Sequence, residues 1–334
     1  MSRRIYHDSY PLRQTGFSLV ELLIAMLLSL IVTAVVLQIF VSSNQTYRVR
    51  EQVALLAENG RYATELLQRD LRMAGYSGCR TLAGLSPNVI AKNPPAFSGF
   101  ADGLQGFELG SGWTNPTAIT QLAGTDVVVI RRATGLGVPL TGNMVALNAN
   151  IQIASNPYGF AANDVLLVTD CEAADLIRAT NVSQGGGTVA IAHAMSTNID
   201  NRLSKAYQAN AMVMGFSANT YFIGENAESG SSLYMLPFES TDALELIPGV
   251  QDLQIQYAID KGNDGVPDEY VDASAVSDWQ EVIGVNVGLL LHTADNITVV
   301  SQPFTFNGAN VNPSSDRRLR SSNWVAIALR NRLN

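Results

Sequence analysis

Apolar and polar positions follow three different patterns along this chain. From Leu22 to Val41 roughly 20 consecutive positions carry no charge, enough for a helix to cross a bilayer. From Tyr47 to about Tyr76 the pattern changes to one of steps of three and four. Val49, Val53, Leu56, Gly60, Ala63, Leu67 and Ala74 then mark one apolar stripe of a helix. Glu58, Arg61, Glu65, Arg69 and Arg72 fall mainly away from it, with Glu65 and Arg69 spaced as a favourable i,i+4 pair. No proline interrupts Phe17 to Gly75, so the spacing predicts one helix of nearly 60 residues, about 85 Å long. Gly75 and Gly78 are its expected end. Half of it belongs in an apolar medium and half beneath a globular head.

A proline- and glycine-rich stretch follows from Thr81 to about Thr125 and reads as loop with short elements. Such a length marks either a partner-facing surface or a flexible cover. Beyond it the period drops to two. Asp126–Arg131 and Asp164–Thr169 are short apolar runs suited to buried strands. In Val250–Asp260, Leu253, Ile255, Tyr257 and Ile259 alternate with Asp252, Gln254, Gln256 and Ala258. In Trp279–Thr293, Ile283, Val285, Val287, Leu289 and Leu291 alternate with Gly284, Asn286, Gly288 and His292, and Val325, Ile327 and Leu329 form a last strand. One apolar face per strand implies an antiparallel sheet covered on one side by the helix stripe. The predicted fold class is α+β: a long N-terminal helix, part transmembrane and part amphipathic, packed on a β-rich head.

Charge gives this plan a direction. Arg3, Arg4 and Arg13 precede the apolar segment, so the basic side stays cytoplasmic and the head faces the periplasm or the exterior. In an oxidising compartment Cys79 and Cys171, the only cysteines, are expected to form a disulfide; two free thiols are the alternative. The formal net charge is −8 and there are three lysines, a poor balance for binding nucleic acid directly. Arg317, Arg318 and Arg320 read as a solvated turn. One residue contradicts a plain anchor. Glu21 stands in the first turn of the span, where a charge costs several kcal/mol unless paired.

The run Gln14-Thr15-Gly16-Phe17-Ser18-Leu19-Val20-Glu21-Leu22-Leu23 resembles a type III, or prepilin, signal, as borne by type IV pilins and type II secretion pseudopilins. An ordinary signal anchor and a secretory signal cleaved after the apolar segment are the plainer readings, and no small-x-small site follows Val41 directly. The resemblance implies cleavage after Gly16 by a prepilin peptidase and N-methylation of Phe17. It also implies that Glu21 pairs with an N-terminal ammonium during assembly. Losing residues 1–16 removes three arginines and one aspartate, which takes the formal charge from −8 to −10. The plan becomes 1–16 leader, 17–41 transmembrane or filament-core helix, 42–78 its amphipathic half and 79–334 head.

Further segments narrow the likeness. Glu65-Leu66-Leu67-Gln68-Arg69-Asp70-Leu71-Arg72-Met73-Ala74-Gly75-Tyr76-Ser77-Gly78-Cys79, Gln254–Asp260, Trp279-Gln280-Glu281-Val282 and Val325–Arg332 resemble the PilW family of minor type IV pilins. The J-type minor pseudopilin of type II secretion shares the architecture. The resemblance implies a non-enzymatic subunit that joins other minor pilins and the major pilin in a complex priming filament assembly. Such a complex sits at the tip beneath an adhesin and supports twitching motility, adhesion and DNA uptake. The protein would reside in the inner membrane first and in the surface filament afterwards.

The head offers one candidate cofactor site. Counting from Asp260, Asp264 is fifth, Gly265 sixth and Asp268 ninth, as in an EF-hand calcium loop. Gly262 at the third position and Val271 at the twelfth lack ligand groups. Asp260, Asp264 and Asp268 are therefore candidate calcium ligands, against the reading of an acidic hairpin turn whose Asp-Gly supplies φ > 0. Enzymatic patterns are missing from the sequence. Only His193 and His292 follow the leader, no Gly-x-Ser-x-Gly or phosphate loop occurs, and His292 falls on the polar face of its strand, where solvent is expected. Gly185-Gly186-Gly187 reads as a turn. A membrane-anchored periplasmic enzyme or binding protein is the remote alternative.

Overall fold

The computed structural model describes residues 16–92, 102–313 and 316–332. The chain divides into two units, Met1–Glu51 and Gln52–Asn334. Helix α1, Leu19–Arg72, contributes its first part to one and its last turns to the other. Every described residue of the first unit is exposed. The hydroxyls within its apolar segment do not stay free: Ser29 donates to the Met26 carbonyl (2.9 Å) and Thr33 to that of Ser29 (2.7 Å). A hydroxyl bonded to the preceding turn is tolerable in hydrocarbon, where water cannot serve it.

In the second unit α1 buries Leu56, Gly60, Ala63, Leu67, Asp70 and Leu71. The buried stripe begins later than the spacing predicts, because Val49 and Val53 remain 36% and 41% exposed. Ion pairing differs too. Arg61 meets Glu65 at 3.3 Å, while Arg69 lies 3.5 Å from Asp70, whose carboxylate on the core side is the nearer partner. The helix ends through Gly75, which has φ +74° and donates its N–H to the Arg131 carbonyl (2.9 Å). Gly103 passes so close that a Cβ there would stand 2.6 Å from the Gly75 Cα. The Asn331 amide closes the same end by donating to the Arg72 and Ala74 carbonyls (3.4 and 3.2 Å), which lack intrahelical partners.

After α2 (Leu82–Leu85) the head is built from strands: β1 (Asn88–Val89), β2 (Leu104–Phe107), β3 (Val127–Pro139), β4 (Ile151–Ile153), β5 (Val165–Thr169), β6 (Ala174–Arg178), β7 (Asn181–Gly185), β8 (Thr188–Ala192), β9 (Met212–Asn226), β10 (Gly230–Leu236), β11 (Leu244–Pro248), β12 (Val250–Ile259), β13 (Glu269–Asp272), β14 (Val282–His292), β15 (Phe304–Phe306), β16 (Ala309–Val311) and β17 (Arg320–Ala328). The C-terminal sheet has the order β13-β12-β14-β17 and is antiparallel throughout. Leu253, Ile255, Tyr257 and Ile259 share one core with Val285, Val287, Leu289, Leu291 and the helix residues Leu56, Ala63, Leu67 and Leu71. That is the predicted packing of stripe on sheet.

A second sheet joins it. Its order is β1-β6-β5-β9-β10-β11, with β3 also paired to β9 and β2 to β3; all pairs are antiparallel except β1 with β6. Val128, Ile130, Tyr221, Ile223, Leu233 and Ile247 of this larger sheet enter the same core. One helix stripe therefore packs on two sheets, where the sequence predicts one. Two smaller pieces complete the head: the sheet β4-β8-β7 and the hairpin β15-β16. Gly186 and Gly187, at φ +61° and +82°, make the two-residue turn between β7 and β8, a geometry that needs φ > 0 at both positions. The β15-β16 hairpin lies on the outer face of the C-terminal sheet, with buried Phe306 against Trp324 (5.5 Å) and Asn307 donating to Gln254 (3.0 Å). Of the predicted irregular stretch 81–125, residues 93–101 lie outside the described residues; the remainder holds α2, β1 and β2.

Candidate functional site

The structure of the predicted processing junction follows from helix-end chemistry. Gly16, Phe17 and Ser18 are non-helical and exposed, and Phe17 is 88% exposed. The leader residues Arg3, Arg4 and Arg13 lie outside the described residues. Ser18 precedes the helix, and its hydroxyl accepts the Glu21 N–H (3.2 Å) while the Glu21 carboxylate accepts the Ser18 N–H (3.0 Å). This reciprocal pair is a capping box, which satisfies two donors that an α-helix start leaves free. A negative group in the first turn also complements the helix dipole. The Ser-x-x-Glu spacing carries this signal in the sequence and gives Glu21 a role besides that of partner to an ammonium.

Elsewhere the described residues show which candidate groups are already occupied. Cys79 and Cys171 form a disulfide, with Cα atoms 5.7 Å apart. Cys171 sits in the β5–β6 turn at φ +72° and donates its N–H to the Thr169 hydroxyl (3.1 Å). Asp170 beside it accepts the N–H groups of Glu172 and Ala173 and pairs with Lys205. Burial opposes its ionisation, but these partners hold its pKa below the usual carboxylate range.

The loop proposed for calcium is satisfied from within. Asp260 accepts the N–H groups of Asp264 (3.2 Å) and Gly265 (2.8 Å), Asp264 that of Val266 (2.9 Å) and Asp268 that of Lys261 (2.7 Å). Among the described residues no group of three or more His, Cys, Asp or Glu side chains is placed to hold a metal ion. Asp260, Asp264 and Asp268 act here as acceptors in a turn, with Gly265 at φ +81°.

His292 is a correction. It is buried, 6% exposed, within hydrogen-bonding range of Ser231 (3.3 Å) and the Thr293 carbonyl (3.0 Å). Burial pushes its pKa down. The alternation of β14 assigned its face correctly, but β10 and the Arg318 segment cover that face. His193 is buried as well, and burial pushes its pKa down.

Besides Asp170 and Asp260, three more buried carboxylates carry no local sequence signal. Asp70 on α1 accepts the Tyr221 hydroxyl from β9 and faces Arg132 at 3.8 Å. Asp175 on β6 is fully buried and accepts from Asn88, from the Ser204 N–H and hydroxyl, and from Tyr207. Asp126 bonds across the two main sheets: its carboxylate takes the N–H of Leu109 and of Ile255, both at 2.8 Å. Burial pushes Asp126 up to about 6. Each of these carboxylates ties separate elements together.

The comparisons with known proteins agree with this arrangement at both ends of the chain. Residues 220–331 match the family described as Type IV Pilus-assembly protein W, and residues 11–37 match the Prokaryotic N-terminal methylation motif. No curated protein matches the chain. A type IV-like pilin from Thermus thermophilus is similar among solved structures at 12% identity, covering 85% of this chain and 98% of that one; its TM-score of 0.27 is too low to bear on the fold. The two family matches, with the long apolar helix and the β-rich head, support a PilW-type minor pilin that carries a prepilin signal.

Proposed function

We propose that the chain is cleaved between Gly16 and Phe17, methylated at the new N-terminus, and built into a type IV pilus as a non-enzymatic minor subunit of the complex that starts assembly. The observation that supports this most directly is the junction itself: an exposed Gly16-Phe17 immediately ahead of a capped helix whose residues 22–41 carry no charge. Cleavage creates an α-ammonium at Phe17, close to the Glu21 carboxylate. A bare ammonium at a helix N-terminus opposes the helix dipole, and in hydrocarbon neither charge is tolerable alone. Glu21 is the group able to offset it, in the same subunit or in a neighbour. The site at the tip and the support of twitching motility and adhesion are part of this reading. Prepilin peptidase, other minor pilins, the major pilin and a tip adhesin are the partners it implies.

Mass spectrometry of the N-terminal peptide from sheared surface filaments tests the proposal. N-methylated Phe17 is the expected result. An intact Met1, or a cut beyond Val41 with no protein in the filaments, overturns it; recovery with a type II secretion piston would assign the chain to that machine instead.

A further inference from the structure

The head carries an arginine-lined cleft that neither the fold nor the N-terminal site accounts for. It has a volume of about 620 Å³ and lies where the turn after α1, the disulfide and the segment after β17 come together. Arg80, Arg330 and Arg332 line it, with the neutral polar groups of Thr81, Asn263 and Gln280; among the described residues no carboxylate lines it. This is unusual in a chain of net charge −8. The lysines are engaged elsewhere: Lys92 donates to backbone carbonyls, Lys205 meets Asp170 and Glu172, and Lys261 meets Glu269. Arg80 and Arg330 are exposed and form no ion pair among the described residues, and the Nη2 of Arg332 is buried without a hydrogen-bond partner there. Burial presses the Arg332 pKa down, against the attraction of Asp102 and Asp278, neither of which reaches it as an ion pair.

The walls of the cleft are fixed before anything binds. Asn331, held on the α1 carbonyls, sets Arg330 and Arg332 on either side of itself. Arg332 also donates to the Gln280 carbonyl (3.4 Å). Cys79 is bonded to Cys171 next to Arg80, and Thr81 caps the following turn by accepting the Gly84 N–H (2.9 Å). A set of guanidinium donors with no carboxylate beside them among the described residues suits planar carboxylates, which arginine binds in two-point fashion. The volume falls in the range of about 300–1,000 Å³ that holds a ligand of several groups rather than a single ion. A short acidic segment brings only a few charges into the cleft, whereas a long polyanion such as nucleic acid extends beyond it over a chain of net charge −8.

We propose that this cleft docks a carboxylate-rich peptide segment of a neighbouring filament subunit. That choice of partner rests on the proposed function above, whereas the binding chemistry does not. The full mature chain in detergent micelles would be titrated with a fluorescein-labelled hexaglutamate peptide and followed by anisotropy. Saturable binding is expected, weakened about tenfold by Arg80→Ala and by Arg330→Ala, each the loss of one charge-assisted pair. Arg317→Ala, at an exposed arginine outside the cleft, should leave binding unchanged. Both cleft residues are exposed, so the variants should melt as the parent does. Absence of saturable binding overturns the proposal, as does an equal loss in the Arg317 variant. So does displacement of the peptide by equimolar inorganic phosphate, or tighter binding of an oligothymidylate of equal charge. The assay needs no filament, so a chain that is methylated at Phe17 and incorporated but binds no peptide refutes the cleft alone. Peptide binding by a chain absent from filaments refutes the subunit reading alone.

Discussion

The two parts of α1 obey opposite rules. Up to Glu51 its apolar side chains point in all directions and every one is exposed; from Leu56 onward one apolar stripe is buried, while Tyr62 off that stripe stays exposed. A helix apolar on every side suits a lipid or helix-packed surrounding, and a striped one suits an interface between water and a core. Each part also holds one carboxylate in a costly place, and each is satisfied differently. Glu21 is bonded by a residue three positions away, Asp70 by Tyr221 on a strand 151 residues away. Local satisfaction leaves a short sequence signature; distant satisfaction leaves none.

The sharpest contrast should come from breaking what fixes the second part. Cys79→Ser opens a disulfide spanning 92 residues just beyond the helix end, and should lower head stability by about 4 kcal/mol in the chain-entropy account; equal melting of the parent under oxidising and reducing conditions would contradict this. Leu67→Ala removes a side chain only 1% exposed and should cost about 3 kcal/mol in denaturant unfolding. Leu30→Ala, at a residue 68% exposed in the first part, should leave the head's unfolding midpoint where it was.

Carboxylates sharpen the same comparison through pH. The pKa of Asp126 is raised from 3.8 to about 6, so the folded state binds a proton more readily than the unfolded one between those values. Its contribution to stability is fully present below about pH 4 and is lost as the pH rises through 6. Asp170 and Asp316, whose values are lowered, act the other way and lose their contribution only as the pH falls below the ordinary aspartate range. Asp126→Asn should therefore lose more stability relative to the parent at pH 4.5 than at pH 7, and a constant difference across that range would refute the assignment. The smallest effect on the head is expected from Glu21→Ala: an unchanged melting temperature, retained leader cleavage and reduced recovery in sheared filaments. Full recovery there would remove the pairing role.

Much of this contrast was legible in the residues. The charge-free run, the stripe through Leu56, Gly60, Ala63 and Leu67 and the alternation of β12 and β14 each depend on a period within one element. The larger sheet was not legible, because it rests on pairings such as Val128 with Tyr221, which no local period encodes. The same limit explains His292. Alternation tells which face of β14 it occupies, not that Ser231 and Arg318 cover that face. Gly106 is a further case: a Cβ there would come within 2.0 Å of the Tyr257 hydroxyl, a close fit between elements about 150 residues apart in sequence. At the N-terminus the capping pair leaves a local signature, because Ser18 and Glu21 stand three residues apart.

The clasp of Asn331 on the end of α1 has a consequence for biogenesis. A ribosome delivers Arg72 and Ala74 more than 250 residues before the amide that closes their carbonyls, and β17, the partner of β14, emerges just ahead of that amide. The helix end and the C-terminal sheet that covers part of its stripe can therefore be completed only when nearly the whole polypeptide has been made. Completion of the head is thus post-translational, and the newly made chain is the stage at which a chaperone has most to shield.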